Sequence, residues 1–94
     1  MITHIVMWKF KAGEQAAMHQ FLDGLQALNG VIPQIKGMTV RVSVNDANAY
    51  DAVLISKFDS LADLEAYKVD PRHVAVSQLC KSIREDRAAI DIEE

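Results

Sequence analysis

Cysteine is nearly absent: Cys80 stands alone, so no internal disulfide staples the chain, and a reducing, cytoplasmic setting is expected. No excess of positive charge exists either. Thirteen acidic side chains against ten Lys and Arg leave a net charge of −3, which argues against a nucleic-acid or anionic-membrane partner, since either would need a basic face. No apolar run approaches the ~20 residues of a membrane span. The opening MITHIVMWKF is too short and too interrupted for a secretory leader. There is no glycine-rich phosphate loop, so no nucleotide cofactor is expected. His4 and His73 have no metal-ligand spacing, so no metal is expected. Internal repeats and low-complexity segments are lacking as well.

What remains is an ordinary globular composition: 94 residues, half of them hydrophobic and a quarter charged. That is one domain, 1–94, with a modest core. A surplus of apolar residues in so short a chain points to burial against a second copy.

Apolar periodicity alternates between strand and helix. Residues 2–11 alternate, with Ile2, His4, Val6, Trp8 and Phe10 on one face and Thr3, Ile5, Met7, Lys9 and Lys11 on the other. From Glu14 to about Asn29, Ala17, Met18, Phe21, Leu22, Leu25 and Leu28 recur at helical spacing, with Gly30 as the stop. Pro33 keeps VIPQIKG out of a helix. Strands are predicted over Met38–Val44 and Tyr50–Phe58, split by the turn-forming NDANA. Ser60 caps a helix running to about Lys68. Asp70 caps the next, with Pro71 at its first position and Val76, Leu79, Cys80 and Ile83 as its buried stripe. A last strand covers Arg87–Ile92, with Arg87, Ala89 and Asp91 facing the helices.

The order β-α-β-β-α-β, its second helical region broken at Asp70-Pro71, predicts an α+β, ferredoxin-like fold with a four-stranded antiparallel sheet. The face without helices carries Thr3, Ile5, Met7, Lys9, Arg41, Val53, Ile55 and Ile90. Such a mixture is better covered by a second sheet than by water, which predicts a homodimer.

Chemistry-bearing residues gather around EAYKVDPRHVAV. His73 is the third residue of a helix, whose positive end disfavours imidazolium and leaves a neutral ring able to accept a proton. Asp91, on the helix-facing side of the last strand, is a candidate to orient that ring. Tyr67 ends the preceding helix and offers a phenol to a developing enolate oxygen. Plainer roles stand beside these: His73 satisfying backbone groups at the helix start, Asp91 pairing near Arg87, and Tyr67 filling the core. His4, on an apolar face, is either a hydrogen-bonded core residue or a ligand contact. His19 sits on the polar side of its helix. Cys80 is read as packing.

The segments HIVMWKFKAG, IPQIKGM, YDAVLISKFDSLADLEAY, DPRHVAV and REDRAAIDIEE resemble the stress-responsive A/B barrel (Dabb) family across nearly the whole chain. The resemblance implies a ferredoxin-like fold and a homodimer whose sheets form a dimeric α/β barrel. The family includes plant stress proteins and a plant polyketide cyclase that closes an aromatic ring by intramolecular aldol condensation. By position, the cyclase's base, its orienting carboxylate and its phenol resemble His73, Asp91 and Tyr67, and His4 resembles the His at the pocket's edge. The implied pocket between sheet and helices is lined by His4, Val6, Trp8, Phe21, Met38, Leu54 and Val76. This sequence departs from the cyclase in three ways: it has only Phe21 as an aromatic in the first helix, it carries Ala52 in place of a His, and Trp8 is bulky. A different substrate follows. The implied function is a small-molecule-binding protein, acting as a cofactor-free cyclase or lyase on a carbonyl compound. The alternatives are a non-catalytic stress-responsive dimer and a cofactor-independent monooxygenase.

Overall fold

The computed structural model describes residues Met1–Glu94. Strands and helices follow in the order β1 (Ile2–Phe10), α1 (Gln15–Gln26), β2 (Gly37–Val42), β3 (Ala52–Phe58), α2 (Leu61–Val69), α3 (Pro71–Lys81) and β4 (Arg84–Glu93). The sheet order is β2-β3-β1-β4, and every pairing is antiparallel. The ferredoxin-like α+β expectation is met.

The pleat sorts side chains into rows. On the helix side, Met38, Ser56, His4 and Asp91 form one row across the four strands. Val40, Leu54, Val6 and Ala89 form the next, and Val42, Ala52, Trp8 and Arg87 the third. Val6, Trp8, Leu54 and Phe58 meet Phe21, Leu25, Leu64 and Tyr67 of the helices in one core. Trp8 and Phe21 stand edge to face with ring centroids 5.2 Å apart, a favoured aromatic geometry. Ile32 and Ile35 of the connector are buried as well, closing the core at the α1–β2 end.

Local signals place the breaks. Gly30 adopts φ +84°, where a side chain would strain the backbone, so it ends the α1 segment. Ser60 Oγ accepts from the Asp63 N–H at 3.1 Å and starts α2. Asp70 accepts from the Arg72 N–H at 2.8 Å and starts α3 immediately afterwards, with Pro71 at the first position.

Several boundaries differ from expectation. The α1 helix stops at Gln26 rather than Asn29, and Ala27–Gly30 turns instead. Gln26 then clamps the sheet edge: its amide donates to Met38 O at 3.2 Å and accepts from Val40 N–H at 3.1 Å. Strand β2 ends at Val42, and Val44 is fully exposed within the turn. Tyr50 lies before β3. Strand β4 begins at Arg84, earlier than Arg87, because its pairing with β1 continues past an irregularity at Lys9/Phe10. In α3, Cys80 and the following Ile83 are buried and Val76 is half-buried, but Leu79 is exposed. The reason is placement: α3 packs against α1 and α2 rather than broadly over the sheet.

Candidate active site

Because α3 leans on α1, the sheet beneath its far side stays partly unroofed. A cavity of about 370 Å³ opens there, walled by β1, β3, β4, α1, α2 and α3. Of the residues predicted for a pocket, His4, Val6, Trp8, Phe21, Leu54, Tyr67 and His73 line it.

Three predicted residues do not line it. Met38 lies in the same row as His4 but two strands away, buried in the core. Val76 turns toward α1, where Gly24 has no side chain to keep it out; a Cβ there would sit 3.2 Å from Val76 Cγ1. Asp91 stands behind His4 rather than in the wall.

That position corrects the predicted pairing of Asp91 with His73. Asp91 and His4 are direct cross-strand partners on β4 and β1, so their side chains leave the same face as neighbours. His4 Nδ1–H donates to Asp91 Oδ1 at 2.5 Å. His73 instead donates Nδ1–H to the Lys68 carbonyl at 3.0 Å, the plainer, backbone-satisfying role. A carbonyl can only accept, so the bond fixes the tautomer of His73. The Asp91 carboxylate fixes His4 in the same way. In both rings Nε2 is left with its lone pair.

Burial pushes the pKa of His4 below the ordinary imidazole value, against the raising effect of Asp91. Burial lowers His73 too, with its Lys68 hydrogen bond opposing and the nearby His4 and Arg87 reinforcing. Both rings are therefore set neutral, as burial of a cation beside other cations dictates. His73 also packs against Tyr67 at a tilt of 41°, with ring centroids 4.3 Å apart.

Tyr67 is 1% exposed, and its hydroxyl has no hydrogen-bond partner. Burial drives its pKa well above the usual phenol value, so it is a neutral donor. A buried hydroxyl left unpaired costs roughly 1–3 kcal/mol.

Seven further residues of the wall escaped the sequence reading: Leu25, Lys68, Ser77, Cys80, Lys81, Arg84 and Arg87. A signal for four of them was present. Ser77, Cys80 and Lys81 follow His73 at the four-, seven- and eight-residue steps that share a helix face, and Arg87 alternates onto the helix side with Asp91. Cys80 is buried in the wall, and burial raises its thiol pKa, so it is poorly suited to act as a nucleophile.

The stress responsive A/B barrel domain matches residues 2–94. The chain belongs to that family. The Arabidopsis thaliana stress-response A/B barrel domain-containing protein DABB1 is 31% identical over 96 residues, covering 97% of this chain and 46% of its own length. The chain thus spans about half of that relative. A dimeric ferredoxin-like protein of unknown function from Bacteroides fragilis superposes on this A/B barrel domain with a TM-score of 0.92 and 28% identity, covering 99% of this chain and 95% of its own. Hydroxynitrile lyase from Passiflora edulis superposes with a TM-score of 0.84 at 19% identity, covering 99% and 94% of the two chains, a likeness of fold alone. The domain has no helix long and apolar enough to cross a membrane.

Proposed function

We propose that this domain is a cofactor-free lyase or cyclase that moves a proton on a small carbonyl compound bound between helices and sheet. The unpartnered Tyr67 hydroxyl, on a residue that lines one cavity with two imidazoles of fixed tautomer, carries the reading. His4 is the general base. Its Nε2 takes a proton from the substrate, either from a hydroxyl or from the carbon alpha to a carbonyl, and Asp91 stabilises the imidazolium that forms. Tyr67 O–H donates to the oxygen on which negative charge develops. In the lyase direction the hydroxyl proton passes to His4, the C–C bond breaks to leave a carbonyl, and the departing carbanion recovers that proton. The cyclase direction forms the same type of bond. His73 packs against the Tyr67 ring and offers a second acceptor. The Passiflora edulis neighbour, a hydroxynitrile lyase, is compatible with this reaction class.

The same reading includes a homodimer. Met7 and Ile55 are each 37% exposed on the helix-free face, Ile92 39% and Ile90 59%. Beside them Met7, Val42, Val44 and Val53 edge an apolar hollow of about 530 Å³. The Bacteroides fragilis neighbour is dimeric, and a second sheet would cover this face.

The test is aldehyde release from cyanohydrins and β-hydroxycarbonyl compounds. Wild type is expected to turn over at least one, with His4→Ala and Tyr67→Phe folded but slower by about 10²-fold or more. Undiminished turnover in both variants would refute the assignment.

A further inference from the structure

Four cations and no carboxylate line the cavity: Lys68, Lys81, Arg84 and Arg87. In a chain with net charge −3, such local segregation calls for a cause. Lys68 is partnered, pairing with Glu65 at 3.4 Å. Lys81, Arg84 and Arg87 make no ion pair at all. The acids nearest in sequence are turned elsewhere. Asp86 accepts from the Tyr50 hydroxyl at 3.3 Å and from the Arg87 backbone N–H at 2.8 Å. Glu85 lines a different hollow, with Lys9 and Lys11. Asp91 is engaged by His4.

The backbone that carries the three free cations is anchored. Lys81 closes α3 and Arg84 opens β4, and the short link between them is pinned to β1's end. Lys11 N–H donates to Ile83 O at 2.8 Å, and Lys11 Nζ donates to Ser82 O at 3.2 Å. Their field reaches inward: after burial, Arg84 and Arg87 are what oppose the rise of the Cys80 thiol, and Arg87 also acts on His4, His73 and Tyr67. The same cavity is lined by Tyr67, whose hydroxyl is neutral and unpartnered. The cavity thus offers two kinds of recognition, a cationic rim and a single buried neutral donor.

We propose that the substrate is an oxo-acid: a small carbonyl compound with a carboxylate held by Arg84, Arg87 and Lys81 and its carbonyl oxygen on Tyr67 O–H. This rests on the function proposed above and adds the charge of the substrate to it. Arginine's planar fork matches a carboxylate in a way a point charge does not, and β4 brings two arginines to the same cavity. A neutral analogue would leave the half-buried Arg84 and the more exposed Arg87 and Lys81 without a counter-charge at the cavity's rim.

The experiment compares binding of para-formylbenzoate with benzaldehyde, which lacks only the carboxylate. It is read from the fluorescence of Trp8, the sole tryptophan and a cavity residue. Wild type is expected to bind the formylbenzoate at least about tenfold more tightly, the scale of one charge-assisted hydrogen bond. The preference should shrink to about twofold in the Arg84→Gln/Arg87→Gln double variant, survive in Arg84→Lys/Arg87→Lys, and fall as salt rises from about 0.05 to about 0.5 M. Tyr67→Phe should weaken both aldehydes alike. Equal affinities in wild type, or a preference that persists in the glutamine variant, would overturn the oxo-acid inference and leave the lyase reading standing. Failure of both aldehydes to perturb Trp8 would overturn the two together. Circular dichroism of the glutamine variant separates lost recognition from lost fold, and if it unfolds, the lysine variant and the salt series decide.

Discussion

At the scale of single residues, Tyr67 separates function from stability. Its hydroxyl is buried without a partner, so Tyr67→Phe should stabilise the fold, by about 1 kcal/mol in chemical denaturation. The same change removes the donor to the developing oxyanion and should lower turnover by about 10²–10³-fold. A structural tyrosine would behave in the opposite way, losing stability with no effect on chemistry. Tyr67, His73 and His4 were legible in the sequence as chemistry-bearing groups, because few residues combine such side chains with apolar surroundings. The partner of Asp91 was not legible. Alternation identifies the face on which a carboxylate stands, but which imidazole it meets depends on cross-strand register, and register is set only when β1 and β4 pair.

At the scale of elements, the cavity exists because of how α3 sits. Gly24 in α1 lets Val76 approach closely, which draws α3 sideways and leaves β4 partly unroofed. Gly24→Ala should be close to neutral. Its gain in helix propensity, up to ~1 kcal/mol, is set against a Cβ that would lie 3.2 Å from Val76 Cγ1. Gly24→Val overpacks the same contact and should cost roughly 1–3 kcal/mol, with α3 displaced and ligand affinity altered; thermal unfolding and Trp8 fluorescence would register both. Loss of the Ser60 cap by Ser60→Ala should destabilise α2 by about 1 kcal/mol. Both helix starts could be read directly from the sequence, since Ser60 and Asp70-Pro71 act through local hydrogen bonds and a fixed φ. The exposure of Leu79 could not, because period and polarity do not say whether a helix leans on a sheet or on another helix.

At the scale of the whole molecule, two properties remain to be measured. Ile55 faces Ile5 and Thr39 across the helix-free face; Ile55→Asp should split the proposed dimer in sedimentation, since each aliphatic group buried there contributes about 1.5–3 kcal/mol. Stability should also depend on pH. His4 and His73 have folded pKa values below the ordinary 6.5, so the unfolded chain takes up protons first on acidification. Their contribution is full above 6.5 and is lost as pH falls through the lowered folded values. Asp70, held down to about 2 by its hydrogen bonds with Arg72, adds a second loss only below 3.8. The most direct test of the account is long-range nitrogen–proton NMR of the histidine rings at neutral pH, in wild type and in Asp91→Asn. His4 should be neutral with its proton on Nδ1, and its pKa should fall further once the carboxylate is gone. A protonated His4, a proton on Nε2, or a shift confined to His73 would contradict it.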